Sequence, residues 1–319
     1  MHNRIIEKYN NGEYQLLQQL GEGSSSQIIL ARNLNDHSLC VLKAIDFNNS
    51  QRKQTFIREA KSSQILRKAS HVIRMDSCYY NHHFGVLVME HMHSDLLHFL
   101  QRQPTRKLAE RSAKRIFHQI AIGVDQCHSQ GIAHLDLKPD NILLRVCPTS
   151  NRVTQVKLAD FGFSVDFSHS ISDRPMANQR GEEESESEDD VSDGENSEEE
   201  RSDKRVRYNF ASDQLINGTI QYAPPELLFD RSEGAVYADK VDIWSLGITL
   251  FAMITGAFPY ALVDGEMIAN DFELIKLNTE DMRCYDLIVN MLHFDPVCRL
   301  DIEQVLVHPW LNGKGFVAM

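Results

Sequence analysis

The chain has 319 residues, 42% hydrophobic and 24% charged, with a formal net charge of −12, which is enough length for about two domains or lobes around a large core. Its six cysteines, at positions 40, 78, 127, 147, 284 and 298, form no C-x-x-C pair and no metal-ligand spacing, so reduced thiols in a cytosolic or nuclear setting are expected and a disulfide framework is not. The first eight residues hold no apolar stretch, which predicts no secretory signal there.

The charge is local. Residues 182–200 contain 12 acids and no Lys or Arg, and the remaining 33 acids match the 33 bases of the whole chain. A neutral remainder predicts neither nucleic-acid binding nor a basic membrane patch. The segment from about 168 to 207 is rich in Ser, Glu and Asp with almost no large apolar residue, so it is expected to be a disordered insert that cannot offset its ordering entropy by burial. Arg201, Lys204, Arg205 and Arg207 follow the acids directly.

In chain order, a tail of residues 1–13 precedes two strands around a Gly/Ser turn (14–32) and a third strand (39–47). A helical pattern covers 55–68, and 84–90 is an apolar run of the length of a buried strand. Beyond residue 95 the pattern is mainly helical, at about 95–101, 108–130, 224–229, 239–255, 281–292 and 302–307. Residues 241–263 are apolar over a membrane-spanning length, but Asp242 and Pro259 interrupt them, which favours a buried core helix. Strands first and helices after predict an α+β chain of two segregated lobes, residues 14–90 and 91–311, with a short tail at 312–319.

The chemistry concentrates in one stretch. His134-Leu135-Asp136-Leu137-Lys138-Pro139-Asp140-Asn141, followed by Asp160-Phe161-Gly162, brings together a base candidate, Asp136, and two oxygen ligands for a hard cation, Asn141 and Asp160. Phosphoryl transfer asks a protein for this and little more: an aligned hydroxyl and cations that spread the developing charge.

These motifs resemble the catalytic loop and Asp-Phe-Gly segment of eukaryotic protein kinases. The resemblance runs from about residue 14 to 311 in the family's order and is nearest to the calcium/calmodulin-dependent and AMP-activated-like serine/threonine groups. It implies a bilobal fold, a β-rich smaller lobe with one main helix and a larger helical lobe, with ATP and Mg²⁺ bound between them. Gly21, Glu22, Gly23, Ser24, Ser25, Ser26 and Ile28 resemble the glycine-rich loop, with Ser26 in place of the third glycine. Alone, such a Gly-x-Gly is a common turn. Cys40-Val41-Leu42-Lys43 resembles the strand whose lysine reaches the α and β phosphates, and Glu59 would be that lysine's partner. Each taken singly reads as an ordinary surface charge; their order and spacing reverse that.

The resemblance further implies an adenine site walled by Ile28, Val41 and Leu143, with Met89 at its rear and the hinge from Glu90 to Met92 supplying backbone hydrogen bonds. Asp136 would orient or deprotonate the acceptor hydroxyl, Lys138 would neutralise the transferring phosphate, and Asn141 and Asp160 would hold Mg²⁺. Lys138 with Thr219, in Gly218-Thr219-Ile220, implies serine/threonine acceptors in protein substrates. Glu226 would pair with Arg299, and Asp242 would steady the catalytic loop. Asp95 and Asp140 stand where related enzymes attract basic substrate residues. A monomer is expected.

Three departures bear on regulation. Leu135 replaces the usual arginine, so no cation is available there to clamp a phosphorylated activation segment. Ser63 stands where an apolar residue is expected one turn after Glu59. The stretch from Asp160 to Glu226 is 67 residues long and contains the acidic insert, in which Ser185, Ser187, Ser192 and Ser197 each have an acid three residues on, a pattern suited to an acidophilic upstream kinase. The insert reads equally as a spacer. An alternative for the whole chain is a pseudokinase or scaffold that uses the fold for binding only; the presence of Lys43, Glu59, Asp136, Asn141 and Asp160 together weighs against it.

Overall fold

The computed structural model describes residues 12–22, 26–168, 207–208, 220–229, 236–263, 266–269, 276 and 278–313. Strands β1 (Tyr14–Glu22), β2 (Ser26–Asn33), β3 (Leu39–Asp46), β4 (Met75–Tyr80) and β5 (Phe84–Glu90) form one antiparallel sheet in the order β1-β2-β3-β5-β4. Side chains alternate between its faces. One face buries Ile29, Ala31, Cys40, Leu42, Ala44, Val86 and Val88 as the core of the smaller lobe. The other carries helix α1 and the cleft.

Helix α1 (Ser50–Ile65) starts five residues before the sequence pattern places it, because the Asn49 side chain accepts from the Arg52 N–H and caps the first turn. Phe56 fastens the helix to Ile45 and Leu87. Its ring lies so close to Gly85 that a Cβ there would come within 2.5 Å of it. Strand β4 lies outside the predicted elements; it is the sheet's edge, none of its residues is buried, and its apolar alternation is correspondingly weak.

The larger part is helical. Short strand β6 (Ser94–Asp95) leads into α2 (Leu96–Gln101), followed by α3 (Glu110–His128), and then β7 (Ile132–Ala133), β8 (Ile142–Val146), β9 (Val153–Leu158) and β10 (Val165–Asp166) build two small sheets beneath the cleft. After β11 (Arg207–Tyr208) and α4 (Pro225–Leu228) come β12 (Val236–Tyr237), α5 (Ala238–Thr255), the hairpin β13 (Tyr260–Val263) and β14 (Glu266–Ala269), and helices α6 (Met282–Met291), α7 (Ile302–Val307) and α8 (Pro309–Asn312). The helices predicted beyond residue 95 reappear within two residues of their expected ends. The β8–β9 pair and the β13–β14 hairpin do not follow from the pattern, since their short runs alternate too briefly to be told from loops.

Helix α5 is the axis of the larger lobe. Ile243, Trp244, Leu246 and Leu250 are fully buried, and Gly256, in the left-handed region at φ 74°, closes the helix through its N–H to Ala252 O. Residues 241–263 are thus a core helix plus a strand, and no helix among the described residues is long and apolar enough to cross a membrane. The result is the two-lobed α+β arrangement expected.

Candidate active site

The register of the smaller sheet builds one wall. Ile28 lies opposite Lys43, and Val41 opposite Met89; directly paired residues share a face, so Ile28, Val41, Lys43 and Met89 all look into the same cleft. Leu143 and Ala159 close it from below, and the space between is about 360 Å³. Apolar walls with a few polar groups at one end suit a flat heterocycle carrying an anionic tail.

At that end Lys43 Nζ lies 2.8 Å from both carboxylate oxygens of Glu59 and 2.9 Å from Asp160 Oδ1. Lys43 and Glu59 are both buried, whereas the Asp160 side chain is 41% exposed into the cleft. Burial pulls the Lys43 ammonium down, but the two carboxylates outweigh it and hold its pKa above the usual value. Burial pushes the Glu59 carboxyl up to about 7 against the pull of Lys43. Burial acts on Asp160 in the same sense, yet Lys43 prevails and its pKa is lowered.

The catalytic-loop candidates hang from α5. Asp242, fully buried, accepts the backbone N–H groups of His134 and Leu135 at 2.8 Å each and the His128 ring at 2.9 Å. Three donors satisfy a carboxylate that would otherwise be costly to bury. They also hold Leu135 at φ 64°, a left-handed conformation costing a branched residue about 1–2 kcal/mol. The His134 ring contacts Phe161 at 4.6 Å between centroids and bonds Ala159 O at 2.9 Å, linking this loop to the residue before Asp160.

Asp136 then sits where Lys138 Nζ meets its two oxygens at 3.0 and 2.9 Å, and the Asn141 amide donates to its backbone O at 2.8 Å and to Oδ2 at 2.9 Å. Burial raises the Asp136 carboxyl and Lys138 only partly offsets this, which favours a group able to take a proton. Because Asn141 donates through its nitrogen, its oxygen is left as an acceptor; with the Asp160 carboxylate it offers two hard donors. Among the described residues no three His, Cys, Asp or Glu side chains form a metal cage. A Mg²⁺ completed by phosphate oxygens and water fits such a sparse set.

The structure brings together Ile28, Val41, Lys43, Glu59, Met89, Glu90, Met92, Asn141, Leu143 and Asp160 on one cleft, with Asp136 bonded to Asn141 at its edge and Lys138 bonded to Asp136. Gly21 and Glu22 end β1 and Ser26 begins β2. Gly23, Ser24, Ser25, Thr219 and the four insert serines lie outside the described residues. The carboxylate of Asp95 caps α2, accepting from the His98 N–H and ring at 2.7 Å each, so its expected role toward substrates meets a structural one. The Glu226–Arg299 pair is present and bidentate, at 2.8 and 3.0 Å.

Two ties were not legible. Lys157 Nζ, buried in β9, bonds Glu90 Oε1 at 2.6 Å and Val72 O at 3.2 Å, joining the hinge to the strand before Asp160. Its one signal is a charge inside the apolar run Val156-Lys157-Leu158. The other, between Ser62 and Ser164, left no signal.

Comparison with known proteins agrees with this geometry. The family model described as "Protein kinase domain" matches residues 14–184 and 200–311. The SNF1-related protein kinase catalytic subunit alpha KIN12 of Arabidopsis thaliana is 28% identical over 94% of this chain and 51% of its own length. The carbon catabolite-derepressing protein kinase of Secale cereale is 27% identical over 98% and 53%, and an Aurora kinase of Debaryomyces hansenii 26% over 95% and 63%. The chain spans about half the length of the curated relatives it matches.

Proposed function

This chain belongs to the protein kinase family, and from that premise we propose that it transfers the γ-phosphate of ATP to serine or threonine hydroxyls of proteins. The observation that carries the reading is the convergence of Lys43, Asp136, Asn141 and Asp160, distant in sequence, on one cleft between two lobes. The lobes are taken as residues 14–90 and 91–311, and the unit acts as a monomer.

Ile28, Val41, Leu143 and Met89 enclose the adenine, and the Glu90–Met92 backbone reads its polar edge. Lys43, steadied by Glu59, binds the α and β phosphates. Asn141 and Asp160 would hold Mg²⁺, which when bound neutralises phosphate charge. Asp136 orients the acceptor hydroxyl and takes its proton, helped by the raised carboxyl described above. Lys138, beside both Asp136 oxygens, moves to the transferring phosphate and stabilises its equatorial charge. Thr219 supports the serine/threonine preference, and an acidophilic kinase acting on Ser185, Ser187, Ser192 and Ser197 is the expected upstream partner. All five family residues that a binding-only scaffold is free to lose are retained.

The test is transfer of radiolabel from γ-labelled ATP to a mixed Ser/Thr peptide library. Asp136→Asn should lower kcat by about 10²–10⁴, the range for a lost general base, with nucleotide affinity little changed. Equal incorporation by the two forms would overturn the assignment.

A further inference from the structure

A basic face lies apart from the cleft. Residues 106–119 carry five cations (Arg106, Lys107, Arg111, Lys114 and Arg115) and one acid, Glu110. That acid is committed elsewhere: it accepts from the Trp310 indole at 2.8 Å, from the Thr279 hydroxyl at 2.8 Å and from the Glu280 N–H at 2.6 Å. Arg111 and Arg115 stand at i, i+4 spacing on α3, a mutually repulsive arrangement, and Lys107, whose ammonium bonds the Asn278 side chain, lies just before that helix. Across a groove of about 240 Å³ stands Arg152, from the turn between β8 and β9, above a floor that includes Phe99, Leu108, Ile116 and Val153. Neither Arg115 nor Arg152 has an acidic partner among the described residues.

A face of this kind wants a polyanion. The chain carries one: residues 182–200, with 12 acids, no base and a single large apolar residue, Val191. Its attachment is well placed. Ser168 packs against Gly131, where an added Cβ would come within 2.5 Å of the serine Cβ, just beyond the end of α3. Arg115 lies 13 residues back from His128 on that helix, about 20 Å at 1.5 Å per residue. The 14 residues from Ser168 to Glu182 span up to about 48 Å when extended, so the acidic run reaches the groove with slack.

We propose that the acidic run 182–200 docks in its own chain's basic groove, its carboxylates meeting Lys107, Arg115 and Arg152. Each exposed pair is weak and screened by salt. The tether, however, presents the run at an effective concentration on the order of millimolar, so many weak pairs act together. Phosphate on Ser185, Ser187, Ser192 or Ser197 adds about −1.5 to −2 charge each and strengthens the docking. The proposal stands independently of the phosphotransfer reading, because no cleft residue takes part.

The experiment is zero-length carbodiimide coupling of the full chain at low protein concentration, with linked peptides identified by mass spectrometry. Amides joining Lys107 or Lys114 to acids of 182–200 within a single chain are expected. Their yield should fall about fivefold or more in Arg115→Glu/Arg152→Glu and at about 1 M salt, where the Debye length is about 3 Å. Coupling of the run to Lys204 alone would show that it pairs with its own basic flank, and links found only in dimers would show a second copy; either result overturns the proposal. A second measurement leaves the folded lobe untouched: replacing the 12 acids by their amides should speed hydrogen exchange across residues 107–119. Unchanged exchange there would also overturn it.

Discussion

The Ser62 hydroxyl donates to the Ser164 hydroxyl at 2.8 Å, across 102 positions of sequence. The direction follows from counting protons: Ser164 has one, and it goes to Phe161 O at 2.7 Å. One turn earlier on α1, Arg58 Nη1 donates to Gly162 O at 3.0 Å. Helix α1 is therefore held against the Asp160-Phe161-Gly162 segment by polar ties, at the level where Ser63, buried but small, supplies no apolar bulk.

Removing the tie should loosen the helix that carries Glu59. Ser62→Ala and Ser164→Ala should each lower stability by about 1 kcal/mol, with a coupling of similar size between them in a double-mutant cycle. Hydrogen exchange in α1 should rise in both single variants. Strictly additive losses would show that the two hydroxyls do not act together.

Glu59 sets a pH dependence. Its carboxyl, raised to about 7, takes a proton as pH falls through that value, and the charged bond to Lys43 is lost; phosphotransfer at low ATP should therefore decline on the acid side and be full above. Glu59→Gln freezes the uncharged form. Losing a charge-assisted hydrogen bond of about 1.5–3 kcal/mol should cost about tenfold or more in kcat/KM and remove the limb near pH 7. Stability moves the other way: with the folded carboxyl above its ordinary 4.5, the folded state binds the proton more tightly. The Glu59 contribution is then greatest below 4.5 and shrinks as pH rises toward 7.

Arg299 and Glu226 join the end of the extended segment to the core of the larger lobe. Arg299 is 1% exposed, and it also donates to Lys240 O at 2.7 Å. Glu226→Gln strands a buried guanidinium, so it should destabilise by about 3–5 kcal/mol in urea unfolding. A loss under about 1 kcal/mol would place the pair with ordinary surface bridges.

Leu135 packs with Phe167 against Ala133, Val165 and Ala238, while the backbone of Phe167 bonds Gly131 O at 2.7 Å. Apolar contact thus holds the start of the long segment where an arginine would need an anion. Activity should survive phosphatase treatment of the wild type. Leu135→Arg, which sets a cation against that cluster, should lose about 1–3 kcal/mol of stability; a phosphatase-sensitive wild type would contradict this reading of Leu135.

The long helices and the strands β1, β2, β3 and β5 were readable in the chain because helix periodicity and turn chemistry are local, and the residues of the cleft were readable through the resemblance that the motifs from His134 to Asn141 and at Asp160 carry. Strand β4 and the pair β8–β9 were not. Short strands owe their existence to a partner, and edge strands lack the alternation that would announce one. The same holds for Lys157 on Glu90, a pairing of groups whose types are common and whose meeting no spacing encodes.

Order along the chain, through the resemblance it carries, was thus enough to name side chains that meet at one cleft and the class of fold. Three-dimensional contact alone decided that Asp242 bends the backbone at Leu135, that Ser62 reaches Ser164, and that burial raises the Glu59 carboxyl. Desolvation and Coulomb attraction depend on distance and burial, and neither quantity exists until separated segments have packed together.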